Sequence, residues 1–238
     1  MKKIMFSLLL IVTGCTLLAQ EKINDANAEK RSVSSFHGIE VATGIKLMLS
    51  EGKTEEVAVS AATAEWRDKI VTKVENGILR IYYENKLHSM NTKKEKKELK
   101  AYVSYKNLGR LNANTGAQVE LLGTLKATSL EMNVNTGAIV NGSVNTNDLK
   151  INQNTGSIVT LTGEVATLDV EGDTGSMFKG TDLITSTCNV KASTGAGVYI
   201  TVQKELNVKA NTGGFVKYKG DAGIREIKTN TGGSVNKI

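Results

Sequence analysis

The 238-residue chain contains no proline, and it has few cysteine, histidine and aromatic residues. The two histidines, His37 and His88, are far apart in sequence and have no cysteine or carboxylate neighbours at the spacing of metal ligands. No nucleophile elbow, phosphate-binding loop or Cys–His arrangement occurs either. The sequence therefore predicts no metal, no cofactor and none of these common catalytic sites.

Long apolar runs are also absent, apart from a short one near the N-terminus. Met1-Lys2-Lys3 followed by the apolar segment Ile4–Val12 is typical of a secretion signal, and the segment is too short to span a bilayer. Cleavage after Ala19 leaves a chain that begins at Gln20. The alternative is the lipobox-like Val12-Thr13-Gly14-Cys15, which would leave a lipidated Cys15 at the new N-terminus. Both alternatives predict export.

Loss of the signal also affects the charge and the cysteine count. The net charge falls from +6 to +4 when Lys2 and Lys3 are removed, which is too small a value to indicate a nucleic-acid partner. Cys188 is then the only cysteine, so no disulfide framework can form.

What the sequence has in abundance is an internal repeat centred on a Thr-Gly pair. Seven copies follow one another with Thr-to-Thr steps of 21, 19, 19, 20, 18 and 19 residues. A period near twenty is the signature of a solenoid, in which each repeat buries its apolar face by stacking on its neighbours. The copies have their Thr at positions Thr115, Thr136, Thr155, Thr174, Thr194, Thr212 and Thr231.

Apolar residues recur four positions before and four positions after each of these threonines. The segments on both sides alternate with period 2, which predicts a short strand, a tight Thr-Gly turn and a second short strand. The glycine supplies a positive φ at the turn, and the preceding Asn, Asp or Ser caps the turn. Consecutive hairpins would satisfy the same pattern, but identical turns at one period favour an all-β parallel β-helix with coils of about 19–20 residues. Cys188 occupies an inward position.

The remaining chain suggests a single domain after the signal. Residues 1–19 are the signal peptide, 20–34 a flexible leader, and 35–238 a solenoid with an irregular part (35–107) and regular coils (108–238). Within the irregular part, Ala42-Thr43-Gly44 is a degenerate turn, Thr63 can cap a helical turn, and Asn76-Gly77 predicts a β-hairpin. The lysine-rich run from Leu87 to Lys100 predicts a solvated loop, with contact to an anionic partner as the alternative.

Two groups of outward side chains are candidate sites. Asp169, Glu171 and Asp173 share one strand and could form a carboxylate site, although no basic residue of a neighbouring coil evidently completes it. Three positions before the repeat Thr, the last three coils place Lys191, Lys209 and Lys228 in one column. This column either keeps a solvated face from aggregating or forms a basic stripe for an anionic polymer such as an acidic polysaccharide.

Nearly the whole chain after the signal resembles the head GIN domain family, whose members are secreted bacterial proteins described as auto-transporter adhesins. The resemblance rests on the repeated Asn-Thr-Gly coils and on three segments, namely residues 24–28, Arg31–Val41 and Ile45–Gly52. Gly44-Ile45-Lys46 departs from the family's Gly-Ile-Asn/Asp motif at its third residue. The resemblance implies a right-handed β-solenoid in the envelope or at the surface, and it supplies no catalytic residues.

These observations favour an exported, non-enzymatic protein that presents an extended surface for adhesion or scaffolding. The expected partner is a surface glycan or an envelope protein, in the periplasm or outside the cell, and no membrane-spanning segment remains after signal removal. The alternative is a carbohydrate-active enzyme that uses Asp169, Glu171 and Asp173. The sequence leaves the ligand and the oligomeric state open.

Overall fold

The computed structural model of the protein describes residues 25–84 and 96–238. These residues form sixteen strands and one short helix. The first part contains β1 (Glu29–Arg31), β2 (Gly38–Val41), β3 (Lys46–Glu51), β4 (Glu56–Ser60), α1 (Ala64–Asp68), β5 (Ile70–Glu75), β6 (Ile78–Tyr83) and β7 (Lys100–Tyr105). The second contains β8 (Arg110–Ala113), β9 (Gln118–Val134), β10 (Ile139–Gln153), β11 (Ile158–Gly172), β12 (Met177–Ala192), β13 (Gly197–Ala210), β14 (Phe215–Lys219), β15 (Gly223–Thr229) and β16 (Ser234–Lys237).

The regular coils stack as parallel strands, which confirms the predicted β-solenoid. Strands β9 to β13 pair in order, each in parallel with the next, and the same repeat positions face each other. Val140, for example, lies beside Val119 in one neighbouring coil and beside Val159 in the other. The stack makes about seven turns. Consecutive hairpins are excluded for this region because a hairpin pairs its two strands antiparallel.

The apolar columns on either side of the turns fill the interior, as the alternation predicts. Val119, Met132 and Val198 are each no more than 1% exposed. Cys188 is fully buried in line with Leu168 and Leu206 of the adjacent coils. Burial raises the pKa of its thiol far above the ordinary value, because the thiolate cannot be solvated there.

The Thr-Gly turns differ from the prediction in one respect, because both residues have positive φ. In the third copy Thr155 has φ 47° and Gly156 has φ 66°, and the amide of Ser157 donates to the carbonyl of Asn154. Two consecutive positive φ values with this hydrogen bond define a type I′ turn. The sequence predicted the glycine conformation alone, because a β-branched residue is rarely found in this region.

The N-terminal coils are stacked in an order that differs from their order in the chain. Strands β2 and β3 flank a turn at Thr43-Gly44, which also has positive φ at both residues and confirms the degenerate copy. This coil lies between the coil of β8 and β9 on one side and strands β6 and β7 on the other.

Antiparallel strands cover the outer side of this first layer. Strand β5 pairs with β6 through a hairpin whose turn residues Asn76 and Gly77 have φ 52° and 74°, as predicted. Strand β4 pairs with β7, and β1 pairs with β4. The leader is thus not flexible throughout, because Glu29–Arg31 form an edge strand. Such short, charged edge strands oppose further pairing.

The helix and the lysine-rich segment are placed as follows. Helix α1 is capped by Thr63, whose hydroxyl oxygen accepts from the amide of Trp66 over 3.3 Å, as predicted. Lys97 Nζ lies 4.3 Å from the ring centroid of Tyr83, and Lys100 is the first residue of strand β7, so the loop is shorter at this end than the charge run predicted.

The signal, both cleavage alternatives, His88 and residues 85–95 lie outside the described residues. In the described ranges, no helix has both the length and the apolar character needed to cross a membrane.

Candidate functional site

Outward side chains on the strand segments that lead into the turns form two in-register columns, named here the ladder face. The first column lies three positions before the repeat Thr, as predicted, and contains Glu40, Asn112, Asn133, Asn152, Glu171, Lys191, Lys209 and Lys228. The second lies beside it and contains Arg110, Glu131, Lys150, Asp169, Asn189, Asn207 and Glu226. One strand spacing of about 4.8 Å separates successive members of a column.

Between Glu40 and Glu171, the first column of the ladder face consists of three asparagines that are held by amide contacts. The Asn133 side chain donates to the Asn112 side-chain oxygen over 2.9 Å, and Asn152 donates to Asn133 over 2.8 Å. An amide ladder of this kind is possible because every Asn side chain both donates and accepts. These three side chains are half-buried and brace one another along the stack.

The candidate carboxylates lie in the middle of the ladder face, and a basic neighbour does complete the group. Lys191 forms an ion pair with Glu171 across adjacent coils, at 2.5 Å between Nζ and Oε1. This contact raises the pKa of Lys191. Asp169 accepts a hydrogen bond from the Asn189 amide over 2.7 Å. The expectation that no basic residue joins the carboxylates is therefore wrong, since Lys191 stands one strand spacing from Glu171.

The carboxylate of Asp173 stabilises the Thr-Gly turn that follows it and does not line the groove of the ladder face. Its carboxylate accepts a hydrogen bond from the backbone amide of Thr174 over 2.7 Å. Hydrogen bonds from the Thr194 side chain and from this amide lower the pKa of Asp173. A carboxylate held in its ionised form cannot act as a general acid at neutral pH.

The lysines of the first column are partly neutralised. Lys191 is paired with Glu171, and Lys228 is paired with Glu226 of its own strand at 2.5 Å. Within the described residues, Lys209 has no carboxylate within ion-pair distance. These contacts offset the repulsion that stacked lysines would otherwise feel.

A shallow groove of about 300 Å³ runs across the middle of the ladder face. Its charged lining consists of Lys150, Asp169, Glu171, Lys191 and Lys209, and asparagines fill the spaces between them. Among the described residues, Asp169 and Glu171 are the carboxylates that line it, and both come from the same strand. The groove can therefore form hydrogen bonds and ion pairs with a flat, polar ligand.

A second group of outward residues was missed at the sequence level, namely Lys179, Tyr199, Phe215 and Lys217, named here the aromatic–lysine cluster. It lies on the strand segments that leave the turns, where Tyr199 stands in register between Lys179 and Lys217. The rings of Tyr199 and Phe215 meet edge to face, with centroids 5.8 Å apart and an interplanar angle of 85°. Lys217 Nζ lies 5.6 Å from the centroid of Tyr199.

The backbone explains how these rings come together. A Cβ at Gly197 would lie 2.4 Å from Cζ of Phe215 and 2.8 Å from Sδ of Met177, so both side chains fold over this glycine. The sequence did carry a signal for the cluster, because aromatic residues are scarce and two of them occupy outward positions in adjacent coils.

Neither group of outward residues resembles a metal centre. Across residues 25–84 and 96–238, no three His, Cys, Asp or Glu side chains are close enough to hold an ion together. His37 lies beside Gly77 of the hairpin turn, away from both groups. The chemistry available at the surface is hydrogen bonding, ion pairing and contact with aromatic rings.

Solved structures with the same fold come from bacteria. A protein described as a putative adhesin, from Bacteroides fragilis NCTC 9343, aligns with a TM-score of 0.75 at 13% identity, covering 89% of this chain and 96% of its own. A putative adhesin from Parabacteroides distasonis ATCC 8503 aligns with a TM-score of 0.70 at 15% identity, covering 89% and 96%. From the same strain, a putative lipid binding protein aligns with a TM-score of 0.67 at 18% identity, covering 90% and 98%. These likenesses show the fold alone.

Comparison of the sequence with models of protein families identifies the family of this chain. No curated protein matches the chain. The family model described as "Putative auto-transporter adhesin, head GIN domain" matches residues 35–222, which include every residue of the ladder face and of the aromatic–lysine cluster except Glu226 and Lys228. That match extends over well more than half of the chain, and the chain accordingly belongs to the head GIN domain family of adhesin-like proteins.

Proposed function

We propose that the protein is exported and acts without catalysis, as an adhesin-like or scaffolding protein that binds a glycan or a protein of the cell envelope. The observation that carries this proposal is the ladder face. Its polar columns run in register from Glu40 to Lys228, and a flat, repeating surface of this kind suits a long ligand that makes many weak contacts. Membership of an adhesin family supports the same function.

Within this function, we propose Lys191, Lys209 and Lys228 as the binding stripe for an anionic polymer. Their placement in one outward column supports the proposal, since a polymer with regularly spaced charges could contact several coils at once. The ion pairs with Glu171 and Glu226 lower the gain from binding, because two of these lysines would have to exchange partners. Of the three, Lys209 is therefore the strongest candidate for direct contact.

The alternative function, a carbohydrate-active enzyme, receives less support from the geometry. Asp169 and Glu171 face the same way from one strand, whereas glycosidases place their two carboxyl groups on opposite sides of the scissile bond. Both side chains are also engaged, by Asn189 and by Lys191. In the part of the chain that the structure describes, no other carboxylate lines their groove.

The proposal of export rests on the N-terminal sequence and on the family. Met1-Lys2-Lys3 and the apolar segment after it are typical of a secretion signal, and adhesins act outside the cytoplasm. We propose processing after Ala19, with lipidation at Cys15 as the alternative. Either product would present the solenoid in the envelope or at the cell surface.

The direct test is a binding screen of the mature protein against glycans, extracellular-matrix proteins and lipid vesicles, together with a pull-down from its own cell envelope. Vesicles are included because one structural neighbour is described as a putative lipid binding protein. Retention on a glycan or capture of a defined envelope protein supports the proposal. Absence of any partner in all arms, or release of sugars from a glycan substrate, contradicts it.

The lysine stripe is tested on immobilised acidic glycans with the triple variant Lys191→Gln/Lys209→Gln/Lys228→Gln. We expect the wild type to be retained at low salt and released near 1 M salt, where the Debye length falls to about 3 Å. The matched control is Lys53→Gln/Lys106→Gln/Lys126→Gln, which loses the same charge at exposed sites outside the column. Equal retention of the two triple variants would exclude the stripe and leave its lysines as solubilising residues.

A further inference from the structure

We infer that the aromatic–lysine cluster is a binding site for an anionic sugar ring, such as a uronic acid residue within a polysaccharide. The inference rests on the proposed function, because it names the partner class and places it on a different surface from the ladder face. It is drawn from the unpaired charges of Lys179 and Lys217, the half-buried aromatic pair beside them, and the order in which the stacking arranges these groups.

The first feature of the cluster is the charge of its two lysines, Lys179 and Lys217. Among the described residues, neither Lys179 nor Lys217 has a carboxylate within ion-pair distance, whereas Lys191 and Lys228 of the ladder face are both paired. An anion that reaches the cluster therefore does not have to displace a protein carboxylate.

The second feature of the cluster is its pair of aromatic rings. Tyr199 and Phe215 are half-buried and point outward, away from the apolar core. Their edge-to-face contact and the seating of Phe215 over Gly197 fix both rings before any ligand arrives. A rigid aromatic surface that is already in place costs little entropy when a ligand binds.

The third feature is the order in which the two lysines and the tyrosine follow one another along the stack of coils. Lys179, Tyr199 and Lys217 occupy successive coils in register, so one lysine residue lies on each side of the tyrosine. At about 4.8 Å per coil, roughly 10 Å of strand stacking separates the two lysine backbones. Lys217 Nζ lies 5.6 Å from the tyrosine centroid, near the outer limit of about 6 Å for a cation–π contact, and can swing toward a carboxylate.

These features together favour a sugar acid over a simple polyanion. A pyranose ring has one face of C–H groups, which can lie on an aromatic side chain and bury apolar area, while its carboxylate reaches a flanking lysine. An acidic peptide would use the lysines but would gain nothing systematic from the ring. A neutral sugar would use the ring and leave both lysines without partners.

The experiment measures binding of three probes by titration calorimetry with the mature protein. The probes are oligogalacturonate, its fully methyl-esterified form, and poly-glutamate, which carry ring and charge, ring alone, and charge alone. We expect oligogalacturonate to bind roughly tenfold more tightly than either of the other two probes, which corresponds to about 1.4 kcal/mol. Tyr199→Leu and Lys179→Gln/Lys217→Gln should each weaken oligogalacturonate binding by a similar factor.

The matched control is Lys53→Gln/Lys126→Gln, which removes the same charge at exposed sites outside both groups. The ladder-face variant Lys191→Gln/Lys209→Gln is measured beside it, because it reports on the proposed stripe. Thermal unfolding of every variant by circular dichroism checks that folding is unchanged, and Phe215→Leu provides a second ring variant. Equal binding of poly-glutamate and oligogalacturonate, or no effect of both ring variants, would overturn the inference. Loss of binding only in the ladder-face variant would overturn it too but would support the proposed function, so the two failures are distinguishable.

Discussion

The backbone amide of Gly156 donates a hydrogen bond to the carbonyl oxygen of Thr174, in the following coil, over 3.0 Å. The same contact joins every neighbouring pair of turns from Gly44 and Thr115 to Gly213 and Thr231, with distances of 2.9–3.1 Å. The turns are thus an additional row of hydrogen bonds between coils. Their conformation, with two consecutive positive φ values, is what directs each glycine amide along the stack.

Replacing a turn glycine should destabilise the protein through the backbone alone. A Cβ at Gly156 meets no atom within 4 Å, so there is open space around it, but the φ of 66° is strained for a β-branched residue such as valine. We expect a loss of about 1–3 kcal/mol in the free energy of unfolding, measured in urea. Thr160→Val, on the following strand, is the control. Equal urea midpoints for the two variants would contradict this account.

The turn threonines should show the opposite effect. Thr136 has φ 52°, and asparagine tolerates that region better than a β-branched residue does. We therefore expect Thr136→Asn to stabilise the protein by up to about 1 kcal/mol. Thr160→Asn, which places asparagine in a strand, should give no gain. A destabilised Thr136→Asn would show that the turn requires the threonine side chain itself.

Cys188 should react with a thiol reagent only after unfolding. It is fully buried, and its raised pKa leaves almost no thiolate at neutral pH. Labelling followed by mass spectrometry, with and without urea, measures this directly. Rapid modification of the native protein would mean that the register of β12 is shifted by one residue.

Acid should weaken the turn that contains Asp173. Hydrogen bonds from Thr194 and Thr174 lower the pKa of this carboxyl below its ordinary value of 3.8. A lowered folded-state pKa means that the stabilisation is present above the unfolded value and is lost as pH falls through the folded value. Below pH 4, wild-type stability should therefore fall more steeply than that of Asp173→Asn. Parallel pH profiles of urea unfolding for the two proteins would exclude this contribution.

Processing of the N-terminus can be measured on protein from its native host. We expect an intact mass for a chain that begins at Gln20 and carries no lipid. A mass increment for two or three acyl chains on Cys15 would instead identify a membrane-anchored lipoprotein.

The regular coils could be predicted from the sequence because the residues that specify each coil lie within a single repeat. Thr-Gly at a fixed interval with inward Val, Ile and Leu specifies turn, strand face and stacking together, and the outward column from Asn112 to Lys228 followed from that register. The position of β6 and β7 outside β2 and β3 could not be predicted, since it depends on pairing between segments about 40 to 55 residues apart. The ion pair between Lys191 and Glu171 depends on the side-chain rotamers of both residues, and the alternation of apolar and polar residues in the sequence does not specify those rotamers.

The exchanged order of the N-terminal coils has a consequence for folding during synthesis. Strands β2 and β3 emerge early, but their parallel partners on both sides come later, beginning with β6 at Ile78 and β8 at Arg110. A chain read from its N-terminus therefore cannot add coils one after another from the start. Its first coil waits for sequence from both neighbours, whereas every coil from β9 onward needs only the one made just before it. The first coil can therefore be fully stacked on both neighbours only after β8 and β9 have been made, when roughly half of the polypeptide exists.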